Sequence, residues 1–191
     1  MILPIIAFGD PVLKKKALDI TKDYPGLSQL IANMFDTMKN AKGVGLAAPQ
    51  VGVSIRLFII DAAPYVDDED EKDEEGLKSF KRIFINAQLF DEEGELWKFN
   101  EGCLSIPNIR EDVERKPELR IRYVDENFLP KEETFSGVRA RIIQHEYDHI
   151  EGILFTDRIN PLRKRLLKRK LTDISKGIVD VKYKMKFPLK K

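Results

Sequence analysis

The chain contains two histidines, and they lie four residues apart in the segment His145-Glu-Tyr-Asp-His149. Residues four apart on a helix lie one turn above each other, so both imidazoles can bind one metal ion. Val138 and Ile142 precede them on the same helical face, which predicts that this face points into the protein. Glu146 lies about 100° around the helix from His145, so it can act on a water beside the ion without being a ligand.

A catalytic metal site of this kind needs a third protein ligand and a fourth position open to water. The chain has no third histidine, and Glu151 lies too close to the pair and on the wrong side of the helix. Cys103 is the remaining soft ligand, and one Cys with two His is a known catalytic set. It lies in Asn100-Glu-Gly-Cys-Leu-Ser-Ile-Pro107, a short segment after a predicted strand. Because it is the single cysteine, the chain cannot form an internal disulfide.

Other interpretations of these three residues stay open at this point. A short motif can arise by chance, in which case the histidines and Cys103 are core residues. A metallopeptidase of the HExxH type shares the two histidines, but its third ligand is a Glu or His further along the chain. A structural zinc site is closed by four protein ligands, whereas this chain offers three candidates.

The elements that would position these residues predict an α+β fold. Apolar residues from Leu27 to Met38 recur every three or four positions, which predicts an N-terminal amphipathic helix that ends near Gly43. Ser136 and Gly152 bracket a second helix over 137–151, and Asn160-Pro161 begins a third. Strands are predicted over residues 56–61, 82–90, 95–99, 118–124, 132–135 and 179–187. We therefore expect mainly antiparallel strands packed around a central metal-binding helix.

Length and composition fit a single domain over residues 1–191, with 42% hydrophobic residues. No apolar run approaches the length of a membrane span, and the first ten residues lack the features of a signal peptide, so the expected compartment is the cytoplasm. Residues 67–75 are almost all charged and predict an exposed loop insertion. Residues 160–191 form a basic C-terminal extension. Its charge suits a polyanion such as a ribosome surface, although a solvated helix face explains it equally well.

Three blocks of the sequence resemble the peptide deformylase family. They are Gly43-Val-Gly-Leu-Ala-Ala-Pro-Gln-Val-Gly52, Glu101-Gly-Cys-Leu-Ser-Ile-Pro107 and Gln144-His-Glu-Tyr-Asp-His-Ile-Glu-Gly152. They occur in the family's order and roughly its spacing, and together they are far more specific than one HExxH motif. The resemblance implies a metal-dependent hydrolase that removes the N-formyl group from the formylmethionine of newly made polypeptides and releases formate. It also implies a bacterial-type cytoplasm.

The resemblance further implies how the metal site works. Cys103, His145 and His149 would hold one divalent ion, which the family resemblance gives as Fe²⁺ in the cell, with Ni²⁺ or Co²⁺ as active substitutes. The general affinity order favours Zn²⁺ instead, and the sequence does not decide between them. Hydroxide formed on the ion would attack the formyl carbon. Glu146 would act as general base and then as the acid that protonates the departing amine.

The negative oxygen that forms during attack needs hydrogen-bond donors. By resemblance these are the side-chain amide of Gln50 and the backbone N–H of Leu104. Outside this resemblance, Gln50 is better explained as an exposed loop residue. The presence of both Gln50 and Glu146 argues against an inactive relative.

A binding site for the formylmethionyl peptide is implied near these donors. Gly45 would let the substrate backbone approach closely, because family members bind the peptide as an added strand along this segment. Val44, Phe99 and Ile142 are candidates for the apolar pocket of the methionine side chain, and Arg110 for its rim. For each of these pocket residues, core packing or a surface role is an equally good explanation.

Overall fold

A five-stranded antiparallel sheet forms the body of the protein. The computed structural model describes residues 1–66 and 76–188, so the predicted acidic insertion over 67–75 lies outside the described residues. The five strands are β2 (Gly45–Ala47), β3 (Leu57–Asp61), β4 (Lys81–Glu93), β7 (Glu118–Val124) and β8 (Pro130–Ser136). They lie side by side in the order β2-β3-β4-β7-β8. The predicted segments at 56–61, 82–90, 118–124 and 132–135 all fall in this sheet.

One face of the sheet is apolar and packs against the helix that carries the histidines. Phe58 and Phe84 on neighbouring strands stack with ring centroids 4.6 Å apart, and Phe135 meets Phe84 edge-on at 6.2 Å. Ile142 and Ile143 of the helix belong to the same buried cluster. Burying several aromatic and branched side chains in this layer fixes the helix against the sheet, since each contributes roughly 1.5–3 kcal/mol of transfer free energy.

A separate hairpin carries the cysteine. Strand β5 (Trp97–Cys103) pairs with β6 (Ile106–Arg115), and the register shifts between Gly102 and Cys103. The prediction of a strand over 95–99 was therefore too short, and β6 was missed. Strand β6 alternates buried and exposed residues like any half-buried strand, but two of its buried positions are the charged Glu111 and Arg115.

In the described part of the chain, four α-helices complete the fold: α1 (Leu27–Asn40), α2 (Gly137–Ile150), α3 (Phe155–Arg158) and α4 (Pro161–Ser175). Gly152 has φ +74°, a left-handed conformation that suits glycine, and follows Glu151, the C-cap residue of α2. The Asn160 side chain accepts a hydrogen bond of 2.8 Å from the Leu162 N–H, which caps α4 as predicted. Ser136 makes no such bond at the start of α2.

The two ends of the chain meet in a short parallel pair. Strand β1 (Ile5–Ile6) pairs with β9 (Met185–Lys186). The predicted strand over 179–187 was too long, because only these two residues pair, although the alternation of half-buried and exposed side chains extends over the whole segment. Within 1–66 and 76–188, no helix has both the length and the apolar character needed to cross a membrane.

Candidate metal centre

Three potential metal ligands converge where the hairpin meets α2. Cys103 ends β5, and His145 and His149 lie on successive turns of α2 with ring centroids 5.1 Å apart. The candidate ligand atoms of the three residues lie within 4.8 Å of one another, and Cys103 Sγ is 3.3 Å from His149 Nε2. An ion with bonds of about 2.0–2.3 Å to sulfur and nitrogen can bridge such a group. The structure therefore brings together the three ligands that the sequence predicted.

Glu101 orients the first histidine. His145 Nδ1 lies 2.9 Å from Glu101 Oε2, which leaves Nε2 as the nitrogen available to an ion. Arg115 donates two hydrogen bonds to the same carboxylate, at 2.8 and 3.0 Å, and Arg141 donates a third at 3.1 Å. Burial alone would raise the pKa of Glu101, but the hydrogen bonds from Arg115 and His145 hold that pKa well below its ordinary value. The carboxylate therefore stays ionised and keeps a proton on His145 Nδ1.

The two histidines have opposite pKa shifts, so the pair favours a single positive charge, on His145. Burial would lower the pKa of His145, but the hydrogen bonds with Cys103 and Glu101 raise it well above the usual range. For His149, burial and the neighbouring His145 lower the pKa, so this imidazole is neutral. A thiolate with two imidazoles suits a divalent transition-metal ion, which would supply the positive charge in place of a proton. The donor set and its electrostatics therefore fit a metal ion.

The Glu146 carboxyl group lies beside the ligands in a buried position, with 5% of the residue exposed. Its Oε2 has no hydrogen-bond partner among the described protein atoms. Burial raises the pKa of Glu146 to about 7, although the charge of His145 opposes this rise. An ideal Cβ built on Gly45 would lie 2.4 Å from Glu146 Oε1. The close approach that Gly45 permits in this structure is therefore that of Glu146.

Gln50 is held so that its amide N–H₂ points into the site. It lies in a short 3-10 helix (Ala48–Val51), and its Oε1 accepts a hydrogen bond of 2.9 Å from the Ala47 N–H. The amide nitrogen is then 3.5 Å from Cys103 Sγ and 3.3 Å from Ser105 Oγ. Only 2% of Gln50 is exposed, which excludes the exposed loop glutamine considered above.

A cleft of about 770 Å³ opens over this group. Ten of the eleven residues named from the sequence line it, and His149 is buried beneath. The lining residues among them are Val44, Gly45, Gln50, Phe99, Cys103, Leu104, Arg110, Ile142, His145 and Glu146. Arg110 lies across the hairpin from Gly102 and donates to Asn100 Oδ1 at 2.8 Å. It is exposed to solvent, so it lies at the outer part of the cleft.

Glu151 does not belong to the site. It forms ion pairs with Arg56 at 2.6 Å and Lys16 at 3.0 Å. Glu151 is the only Glu that follows His149 in the sequence, so no downstream Glu completes a metallopeptidase ligand set.

Sequence reasoning missed the buried charges that support the ligands. Besides its bonds to Glu101, Arg115 donates to Asp148 at 2.7 Å, and Arg158 also binds Asp148. Charged residues are normally solvated, so there was little reason in the sequence to expect buried ones. The one hint of a role for Glu101 and Asp148 was that they lie inside the family-like blocks. Arg115 carried no such signal, because its partners come from a strand and a helix distant in sequence.

Comparison with known proteins agrees with this geometry. Residues 2–165 match the family model described as polypeptide deformylase. The chain belongs to the peptide deformylase family. It is therefore an enzyme, a metal-binding hydrolase with deformylase activity.

Several deformylases are similar over nearly the full chain. The peptide deformylase of Christiangramia forsetii is 63% identical over 190 residues, which cover 98% of this chain and 97% of that protein. The one from Flavobacterium johnsoniae is 59% identical over 98% of this chain and 96% of its own length. The crystal structure of the Legionella pneumophila deformylase has a TM-score of 0.77 and 36% identity, and covers 91% of this chain and 95% of that one.

Proposed function

We propose that the chain removes the formyl group from N-formylmethionyl peptides and nascent chains, with Cys103, His145 and His149 holding one divalent ion. The observation that carries this proposal is the buried Glu146 carboxyl group beside three converging ligands at the head of a cleft. When bound, the ion supplies Lewis acidity and lowers the pKa of a water molecule that it holds.

Glu146 moves the proton in the proposed reaction. A carboxyl group with a pKa of about 7 can accept a proton from the attacking water and return it to the amine that leaves. Its unpartnered Oε2 is the atom assigned to this transfer. Hydrogen bonds from the Gln50 amide and the Leu104 N–H stabilise the oxyanion, and donors of this kind are worth roughly 3 kcal/mol each.

The substrate peptide lies along β2 in this proposal. This strand is at the edge of the sheet, so its outer side can accept an added strand. Val44, Phe99 and Ile142 line the cleft and provide an apolar surface for the methionine side chain. Arg110 lies at the outer part, where the rest of the peptide leaves the cleft.

Formate release tests the proposed reaction. The wild type and Glu146→Ala are loaded anaerobically with Fe²⁺ or Ni²⁺ and given formyl-Met-Ala-Ser. We expect rapid release by the wild type and a loss of about 10²–10⁴-fold in the variant, which is the usual worth of a general base. Glu114→Gln, at an exposed carboxylate on β6, serves as the matched control. A folded, metal-loaded wild type that releases no formate would overturn the proposal.

Fe²⁺ is the proposed ion in the cell, and Zn²⁺, Ni²⁺ and Co²⁺ can take its place. A ferrous site with a thiolate ligand is expected to lose activity in air through oxidation at Cys103. Metal analysis after anaerobic purification, with activity followed during exposure to air, tests this. Iron-loaded protein should lose activity within the exposure, whereas nickel-loaded protein should keep it. Little iron in the anaerobically purified protein, or equal retention of activity in air by the iron and nickel forms, would contradict the assignment of iron.

We also propose that the chain acts as one catalytic domain in a bacterial cytoplasm. We further propose that its basic C-terminal extension contacts the ribosome. Residues 163–191 contain 12 Lys/Arg and two Asp. All six basic residues of α4 are exposed. Arg163 pairs with Glu111 and Lys164 with Asp157, which leaves Arg165, Lys168, Arg169 and Lys170 to face a partner. A basic surface of this kind binds a polyanion such as ribosomal RNA in a salt-dependent manner.

Substitution tests the ribosome contact better than deletion. Removing residues 163–191 would also remove Leu167, Leu171 and Ile174, which are buried in the core. Replacing Arg165, Lys168, Arg169 and Lys170 by Gln leaves the buried face of α4 unchanged, and we expect weaker co-sedimentation with ribosomes at low salt. Unchanged co-sedimentation would remove the ribosome contact and leave the deformylase assignment intact.

A further inference from the structure

One wall of the active-site cleft lies outside the part of the chain that the family model matches. That match ends at residue 165, whereas residues 180–183 line the cleft. Residues 180–183 are held at both ends. Before them, the Asn108 side chain donates to the Asp180 carbonyl at 2.8 Å, and after them β9 begins at Met185 and pairs with β1. The C-terminal segment is therefore part of the site in this chain.

Tyr183 makes the most direct contact with the reacting region. Its hydroxyl donates a hydrogen bond of 2.7 Å to the carbonyl oxygen of Leu104. Burial raises the pKa of the Tyr183 phenol, so its hydroxyl remains a neutral donor. The bond reaches across 79 positions in sequence to the turn that follows the cysteine ligand.

The same turn is held on its other sides as well. The Phe8 N–H donates to the Ser105 carbonyl at 2.9 Å. The Leu104 side chain lies over Gly43, where an ideal Cβ would be 2.7 Å from Leu104 Cδ1. Tyr183 therefore fixes the carbonyl of Leu104, while Phe8 fixes the carbonyl of Ser105 and the close packing on Gly43 limits the Leu104 side chain.

We infer that Tyr183 is a positioning residue for the oxyanion donor: by binding the Leu104 carbonyl it holds the turn after Cys103, and this turn carries the Leu104 N–H. This inference rests on the role proposed above for Leu104. Donors contribute to the rate only if they point to where the oxyanion forms, because they are worth more in the transition state than in the ground state. Losing the Tyr183 hydroxyl should therefore lower kcat and leave KM nearly unchanged.

Tyr183→Phe tests the inference, because it removes one oxygen and keeps the ring in the wall. Direct loss of an oxyanion donor costs about 10²–10³-fold in kcat, so misalignment should cost less, about 5–30-fold. The inhibition constant of the product Met-Ala-Ser should stay at the wild-type value, since the product lacks the formyl oxygen. KM and the melting temperature should also stay at their wild-type values. Tyr24→Phe makes the same change away from the cleft and should leave every value unaltered.

Two outcomes would overturn the inference. One is a kcat within twofold of the wild type. The other is a fall in kcat that comes with a weaker product complex or a clearly lower melting temperature, which would make Tyr183 a structural support only. The wild type separates failure of this inference from failure of the proposed function. If the proposed function were wrong, the wild type itself would release no formate in the same assay.

Discussion

The carboxylate of Glu146 packs directly against the backbone of Gly45. An ideal Cβ at residue 45 would lie 2.4 Å from Oε1 and 2.7 Å from Cδ of Glu146. Real Cβ atoms are essentially never found this close to such atoms. Any side chain at residue 45 must therefore displace the carboxyl group proposed as the general base.

Gly45→Ala should lower kcat by about 100-fold or more, because a shift of about 1 Å in a catalytic group can cost that much. Formate release measures the rate, while metal content and melting temperature should stay near those of the wild type. In a Glu146→Ala background, the same glycine substitution should have little further effect, since the displaced group is already gone. Additive losses in the double variant would show that Gly45 acts independently of Glu146.

Glu101→Gln should weaken metal binding by about 10–100-fold, as is usual when the partner of a metal-ligating histidine is changed. The neutral amide no longer fixes the proton on His145 Nδ1, and it leaves Arg115 with less negative charge to bind. Titration of the apoprotein with Co²⁺ under competition by a chelator measures the affinity. Glu114→Gln, on the exposed side of β6, should bind the ion like the wild type. Equal affinity of the Glu101 variant and this control would refute the orienting role.

The ligand set was predictable because it depends on local spacing. His145 and His149 are about one helical turn apart, and Ser136 and Gly152 marked the limits of that helix in the sequence. Cys103 followed from the need for a third ligand, and the three blocks supplied Gln50 and Leu104. The α+β fold was predictable for the same reason, since the predicted strands carry local signals such as the apolar run over 56–61 and the alternation over 118–124.

The supporting charges were not predictable, because their partners are distant in sequence. Arg115 lies in a strand that looks solvated, yet Glu101 and Asp148 come to it from other elements and make its burial favourable. The wall from 180 to 183 was missed for a similar reason. Its alternation predicted a strand, but no local pattern indicated that Tyr183 would meet the turn after Cys103.

Glu151→Gln should destabilise the protein at neutral pH but not in acid. Burial would raise the pKa of Glu151, but hydrogen bonds from Lys16 and Arg56 lower it below its ordinary value. The carboxylate therefore stabilises the fold above a pH of about 4.3, the unfolded pKa, and loses this effect as the pH falls below that value. We expect a loss of about 1–2 kcal/mol in the free energy of unfolding at pH 7, typical of hydrogen bonds to a charged group.

Urea unfolding of the wild type and the Glu151 variant at several pH values measures this difference. It should be largest near pH 7 and shrink steadily below pH 4, as the wild-type carboxyl group also becomes neutral. Glu126→Gln, at an exposed carboxylate, should show little difference at any pH. A gap that stays constant down to pH 3 would mean that charge is not the cause.

Lys182→Glu should change which peptides the enzyme prefers. Lys42, Arg110 and Lys182 line the cleft, and Asp180 lies beside them. Charges at the mouth of a cleft attract peptides of opposite sign, so the ratio of kcat/KM for formyl-Met-Asp-Glu over formyl-Met-Ser-Ser should fall by about 3–10-fold. The effect should fade in 0.5 M salt, where the screening length is only a few ångströms. Lys186→Glu, outside the lining, is the control, and equal ratios in the two variants would exclude a role for Lys182.

The pairing of β1 with β9 has a consequence for the order in which the active site forms during translation. The metal ligands, Glu146 and Gln50 all precede residue 150, so an emerging chain could assemble them early. The bond from Tyr183 and the parallel pair with Met185 must wait until the far C-terminal segment has left the exit tunnel. The centre is therefore finished late, and a nascent copy of this enzyme should gain its full rate only when its final strand has closed against its first.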